Sequence, residues 1–211
     1  LLMRCFEVAG CPGGVRGDLA VQLAIQLAYF ALTGRMDSVY QPVHMRRFKA
    51  GRTEAIRPVT RDTLRFCRLA VSEADDGAIA PLARRALRDI KARASQSREG
   101  CGIDRHFFAL YNLAARNGQR VGLFEDPAYL RLLGPAILCT SSVGAGSGLD
   151  RFAFGPVRPD GFGIAYVTDR GKARFCVTGW RADLGAFCGR IEDAVGRVAR
   201  LAGARRPAKS A

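Results

Sequence analysis

Lysine is scarce in a strongly basic chain. Only Lys49, Lys91, Lys172 and Lys209 stand among 33 basic residues, set against 19 acidic ones for a formal net charge of +14. An arginine excess of this kind also accompanies an Ala- and Gly-rich composition driven by a GC-rich genome, so the charge permits a polyanionic partner without demanding one. Histidine is scarcer still: His44 and His106 are the only two. They make no zinc-like grouping with Cys5, Cys11, Cys67, Cys101, Cys139, Cys176 and Cys188, and no C-x-x-C pair occurs. The expectation is a reducing compartment and no metal site. No apolar run is long enough to span about 30 Å of hydrocarbon, because the longest, Leu19 to Leu32, is broken by Gln22 and Gln26. Neither a G-x-x-x-x-G-K-S/T loop nor a strand-to-helix G-x-G-x-x-G is present. Gly144 to Gly148 is glycine-rich but precedes a strand, which suits a flexible loop better than a phosphate nest. Helix-turn-helix and aromatic-rich basic patterns are lacking too, so nucleic acid is not expected as a partner.

What is present fits one globular domain over residues 1–211: 48% hydrophobic and 25% charged residues, with no linker dividing them. After a Gly- and Pro-containing entry, Asp18 reads as an N-cap or first-turn acid for a core helix closing at Gly34. Val39 to Phe48, around Pro42, reads as an irregular or edge strand. Thr60 opens a helix with Leu64, Cys67, Leu69 and Val71 near helical spacing. Pro81 sits early in a second, arginine-covered helix that runs to about Ala94 and breaks at Gly100-Cys101-Gly102. A further helix to Asn117-Gly118 places Ile103, Phe107, Leu110 and Leu113 inward. Short strands follow at 136–140, 152–154, 162–167 and 173–178 in a meander-like order, the last two joined by TDRGK as a hairpin. An amphipathic helix from about Leu184 to Leu201 precedes a frayed basic tail, 205–211. Helices first and strands later indicate a mixed α/β or α+β layer fold.

The chemistry concentrates at Leu138-Cys139-Thr140-Ser141-Ser142. Hydroxyls at a strand end can donate to a developing oxyanion, although the same run also reads as a plain strand-to-loop exit.

Five ordered segments resemble the C-terminal half of the carnitine and choline O-acyltransferases: QLAYFALTGRMDSVY, RRFKAGRTEAIR, GIDRHFFAL, LCTSSV and FGPVRPDGFGIAY. The intervals of thirteen positions from Tyr40 to Thr53 and thirty-four from Arg105 to Cys139 match as well. The resemblance covers about Asp18 to Leu201. It implies an α/β fold with a mixed sheet flanked by helices, like a CoA-dependent acyltransferase C-terminal domain. It also implies acyl transfer between a CoA thioester and the hydroxyl of carnitine, as in lipid and fatty acid metabolism. Acyl-CoA is then a co-substrate, and no permanently bound cofactor or metal is implied.

Through the resemblance, Tyr40, Thr53 and Arg105 hold the carnitine carboxylate, and retention of the GRTE and IDRH segments is carnitine-like. Ser141 supports the oxyanion. Cys139, in place of the first serine of a Ser-Thr-Ser motif, and Phe154 face the trimethylammonium group. Phe152 matches a position whose bulk limits acyl length. Asp18 and Ser142 are the coenzyme A candidates. Two departures bear on coenzyme A recognition: Glu7 and Cys11 stand where the family has lysines for the 3′-phosphate, and Gln41-Pro42-Val43-His44 replaces a Glu-Ser-Ala-Ser type stretch near the pantetheine. The family's catalytic histidine lies in an N-terminal half, and His44 and His106 do not match it. The chain opens at Leu1 with neither an initiator Met nor a signal-peptide core. It is therefore expected to belong to a longer protein whose N-terminal half supplies the base. An inactive binding or scaffold member, or an enzyme using a carrier protein's pantetheine, are the alternatives. Mitochondrial, peroxisomal and cytoplasmic settings all stay open, since the PAKSA ending is not a peroxisomal SKL.

Overall fold

A computed structural model describes residues 1–11, 14–72, 74–143, 147–169 and 171–203. Pro12 and Gly13 of the entry, Gly144-Ala145-Gly146 of the glycine-rich run, Arg170 of the hairpin turn and the tail 205–211 lie outside the described residues. The elements are β1 (Leu2–Ala9), α1 (Gly14–Thr33), β2 (Val39–His44), β3 (Thr53–Ile56), α2 (Arg61–Val71) and α3 (Asp76–Gln96). A π-helical turn, Ser97–Cys101, continues α3. Then come α4 (Asp104–Arg116), α5 (Gly122–Glu125), α6 (Pro127–Leu133), β4 (Leu138–Val143), β5 (Phe162–Asp169), β6 (Lys172–Gly179) and α7 (Leu184–Gly203).

The six strands form one sheet in the order β1-β6-β5-β4-β2-β3. β4 runs parallel to both β2 and β5, and the other pairs are antiparallel. The sheet is therefore mixed, and the meander-like order is corrected: β5 and β6 form the expected hairpin, but β4 meets β5 in parallel. β2 is also an interior strand and not an edge, because β3 covers its far side. β1 was not expected at all. Its register puts Cys5 opposite Cys176 of β6, and the two form a disulfide. That corrects the wholly reduced reading at one pair, for which a separation of 171 residues leaves no local signal.

Helix α1 is apolar nearly all round and sits between the sheet, α7, α2 and α3, with Val21, Leu23, Ala24 and Ile25 fully buried. It ends where Gly34 takes φ +69 and its N–H donates to Phe30 at 2.8 Å. α1 begins before Asp18, so that carboxylate does not cap it but faces the strands. α2 starts as expected with a Thr60 capping box. Its inner stripe is Thr63, Phe66, Cys67 and Ala70 in place of Leu64, Leu69 and Val71.

Two further expectations fail for tertiary reasons. Phe152–Phe154 is not a strand: the segment crosses over β5, and the Phe154 carbonyl accepts from Thr178 Oγ1 at 2.5 Å. Gly163 permits that crossing, since a Cβ there would lie 2.5 Å from the same carbonyl. On α4, Ile103, Leu110 and Leu113 are 59%, 40% and 54% exposed, while Asp104 and Ala114 are the buried residues. An ion pair between Asp104 and Arg57 at 2.8 Å, and not the apolar stripe, fixes which side of α4 turns inward.

Candidate active site

Alternation along β4 divides its side chains between two faces. Leu138, Thr140 and Ser142 turn their side chains toward α1, whereas Cys139 and Ser141 point into a cavity of about 880 Å³ on the opposite face, which Thr140 also borders. Tyr40 and Pro42 of β2, Arg57, Asp104 and Arg105 at the start of α4, Phe152 and Phe154 also line it. Its outer wall is Phe108 and Tyr111 of α4 together with Tyr129, Leu130 and Leu133 of α6. The wall is largely apolar and aromatic, with a few convergent polar groups, as small-molecule sites generally are.

Two arginines meet the Tyr40 ring, with guanidinium carbons 5.4 Å (Arg57) and 5.8 Å (Arg105) from its centroid. Arg57 is committed to the protein: it pairs with Asp104 and donates to the Leu133 and Gly134 carbonyls. Arg105 donates to the Tyr40 hydroxyl at 2.7 Å, lies 3.8 Å from Asp104 and is otherwise open to the cavity. Its remaining N–H groups suit a planar carboxylate. Glu54, buried on β3, sets the position of Arg105: one carboxylate oxygen accepts from the Arg105 backbone N–H at 3.1 Å and from the Ala55 N–H at 2.7 Å. Glu54 thus serves the start of α4, whose own N-cap residue, Ile103, offers no side-chain bond. Gly102 leaves room for it, because a Cβ there would fall 2.3 Å from the Glu54 side chain.

The burial that surrounds Cys139 raises its thiol pKa, so at neutral pH it is a protonated, weakly polar wall and not a nucleophile. Thr53 opens β3 as an exposed residue and does not line the cavity. Asp18 and Ser142 lie on the other face. There Ser142 Oγ and the Tyr166 hydroxyl donate to Asp18 Oδ1 at 3.0 and 2.6 Å, and Gln41 Nε2 donates to Oδ2 at 3.1 Å. Burial, then the Asp18 charge and hydrogen bond, push the Tyr166 pKa well above the usual tyrosine range, so it stays a donor.

The candidates are therefore sorted in space. Tyr40, Arg105, Cys139, Ser141 and Phe154 share the cavity, Asp18 and Ser142 share the α1 side, and Thr53 is apart from both. Sequence reading gave no role to Arg57, Gln22 and Tyr166, and took Thr140 only as one of a run of hydroxyls, Glu54 only as part of a motif and Asp104 only as a neighbour of Arg105. Gln22 was visible as a polar break in an otherwise apolar helix. Neither histidine lines the cavity: His44 is exposed at the end of β2 and His106 is exposed on α4. Glu7 is not a bare negative charge, since Lys172 and Arg174 both bond its carboxylate, at 2.7 and 2.9 Å, and lower its pKa. Cys11 is buried. A second cleft, of about 310 Å³, opens at the other end of the strands, where Arg35–Asp37, Arg158–Asp160 and Arg181–Asp183 each form an ion pair. Among the described residues no group of three or more His, Cys, Asp or Glu side chains could hold a metal, and no helix is long and apolar enough to cross a membrane.

The mixed sheet, its flanking helices and the cavity at β4 define a CoA-dependent acyltransferase-like α/β fold. A variant of the starter condensation domain of rhizomide synthetase, solved with C8-CoA and Leu-SNAC, superposes with a TM-score of 0.52 at 16% identity, covering 94% of this chain and 45% of that one. A family model described as choline/carnitine O-acyltransferase matches residues 13–193, and the chain belongs to that family. It is 37% identical over 154 residues to mitochondrial carnitine O-palmitoyltransferase 2 of Mus musculus, covering 71% of this chain and 23% of that protein. The putative mitochondrial carnitine O-acetyltransferase of Saccharomyces cerevisiae is 32% identical over 189 residues, covering 87% and 27%. Carnitine O-acetyltransferase of Columba livia is 35% identical over 151 residues, covering 71% and 24%. The chain thus spans about a quarter of the length of these relatives.

Proposed function

We propose that this chain is the C-terminal portion of a carnitine O-acyltransferase, moving an acyl group between a CoA thioester and the carnitine hydroxyl. The observation that carries the reading is the convergence of Arg105, Tyr40, Ser141 and Phe154, from four separate segments of the chain, on one cavity. In this reading Arg105 and the Tyr40 hydroxyl take the carnitine carboxylate, and the resemblance adds Thr53, which stands apart from the cavity wall. The Phe154 ring faces the quaternary ammonium, a contact worth about 0.5 to 2 kcal/mol. The carnitine oxygen attacks the thioester carbon. The carbonyl oxygen becomes an oxyanion that accepts from Ser141, and collapse expels the thiolate of coenzyme A. A general base must take the carnitine proton. The cavity wall holds no histidine, so the base is assigned to the part of the family-length protein outside this chain. A mitochondrial setting, as the names of two relatives have it, belongs to the same proposal.

The test is carnitine-dependent thiol release by the whole protein containing this segment. Release from acyl-CoA that ceases without carnitine supports the reading. Carnitine binding without release on a protein carrying both halves would favour the scaffold alternative. Glu7 and Cys11, in place of phosphate-binding lysines, motivate the carrier-protein alternative. Equal turnover of acyl-CoA and an acyl-pantetheine lacking the 3′-phosphate would support it.

A further inference from the structure

We infer that Gln22 is a positioning residue for the hydroxyl run of β4, holding Ser141 at the cavity through its neighbours Thr140 and Ser142; the inference rests on the acyl-transfer reading above. Gln22 lies on α1, fully buried, and its amide meets the Thr140 hydroxyl from the α1 side of β4.

The chemistry of its partners fixes the direction of every bond. An amide nitrogen only donates, so Gln22 Nε2 supplies hydrogens to Thr140 Oγ1 and to the Tyr166 hydroxyl oxygen, each at 2.9 Å. Both hydroxyls, having accepted, send their own hydrogens onward. Thr140 donates to the Tyr40 carbonyl at 2.8 Å, and Tyr166 donates to Asp18 Oδ1 at 2.6 Å. Ser142 donates to that same oxygen at 3.0 Å. One amide therefore orders Thr140 directly and reaches Ser142 only through Tyr166 and the shared Asp18 oxygen. The Gln22 amide oxygen takes no hydrogen bond among the described residues, so its bonding runs through Nε2 alone.

The sheet needs this arrangement at one place. The β2–β4 ladder consists of Val39↔Leu138 and Tyr40↔Cys139 and then stops, two positions before Pro42, which has no N–H to give. From Thr140 onward β4 is paired on the β5 side only, as far as Val143. Toward β2, the Thr140 hydroxyl on the Tyr40 carbonyl replaces the missing ladder. Tyr40 and Ser141 both line the cavity, so this bond sets their spacing. A hydroxyl that meets a developing oxyanion has to be held within about 0.5 Å of its productive position.

Gln26 supplies the control. It is equally buried on the next turn of α1, but its amide donates to the Gln22 and Pro58 carbonyls at 3.3 and 3.4 Å and reaches no part of β4. The experiment compares Gln22→Leu, Thr140→Val, their double variant and Gln26→Leu in the whole protein, with amide hydrogen exchange along β4 as a second readout. Gln22→Leu should lower kcat about tenfold with the KM for carnitine within about twofold. Thr140→Val should match it, and the double variant should lose no more than either single one. Gln26→Leu should lower Tm and leave kcat unchanged. Exchange at residues 140–143 should quicken in Gln22→Leu and not in Gln26→Leu. Equal kcat losses in the two glutamine variants, or wild-type kcat in Gln22→Leu, would overturn the inference. If Gln22→Leu fails to fold, Thr140→Val decides by the same kcat and KM split. If the wild-type protein releases no thiol, the acyl-transfer reading fails on its own account. Exchange then decides the positioning claim, and unchanged protection at 140–143 in Gln22→Leu would sink it.

Discussion

Two helical regions of this molecule end up in opposite surroundings. α7 and α1 bury their apolar residues against each other and the sheet, with Phe187 packed 4.5 Å from Phe162 and edge-on to Tyr29. α4 and its N-cap carry an apolar stripe of similar spacing, yet Ile103, Leu110 and Leu113 stand exposed, as does Phe108 in the cavity wall. Helical periodicity reports that a helix has an apolar face. It does not report which part of a protein covers that face.

Substitutions sharpen the contrast, beginning with the largest effect. Phe187→Ala should cost about 3–5 kcal/mol of stability in a urea titration, because its cavity lies inside close-packed core. Ser141→Ala should lower kcat of the whole enzyme by about 10- to 1000-fold with Tm nearly unchanged. Unchanged turnover would remove Ser141 from the mechanism. Arg105→Ala should raise the KM for carnitine about tenfold or more and leave acyl-CoA affinity alone, which calorimetry with each substrate checks. Equal effects on both substrates would make Arg105 structural.

The buried thiols give a smaller, pH-dependent effect. Burial pushes Cys11 and Cys188 up to about 11 from an ordinary 9.0. Above pH 9 the unfolded chain releases these protons while the folded one retains them. The folded state then binds more protons, and stability falls as pH rises toward 11, by about 1 kcal/mol per thiol per pH unit. Urea titrations at pH 8 and 10 test the slope, and Cys188→Ala should flatten it. The smallest effect is expected for Leu113→Ser on this chain, within about 0.5 kcal/mol. A loss of 2 kcal/mol or more would mean that this face is covered after all.

Much of the site was legible because its chemistry is carried by short contiguous segments. The hydroxyl run was legible as a strand end at 136–140; that β4 continues to Val143, so that Cys139 and Ser141 share one face and Ser142 takes the other, was not. The Arg105 and Tyr40 segments could be paired only by resemblance, since 65 residues separate them. Glu54 was legible only as part of a motif, and its bond to the Arg105 N–H exists because β3 and α4 pack side by side. Gln22 looked like an interruption of an apolar run. Its partners are 118 and 144 residues away, and no local pattern points to them.

The sequence by itself determined most of the helical segments and the β5–β6 hairpin, where α1 stops and α2 starts, and which segment carries the hydroxyls. These follow from backbone sterics, capping and side-chain periodicity acting over a few residues. Tertiary structure alone decided the parallel placement of β4 between β2 and β5, the crossing of Phe152–Phe154 over Gly163, the Cys5–Cys176 bond and the exposed face of α4. Each of these depends on what distant segments place alongside, and that is settled by packing and hydrogen-bond satisfaction across the whole fold.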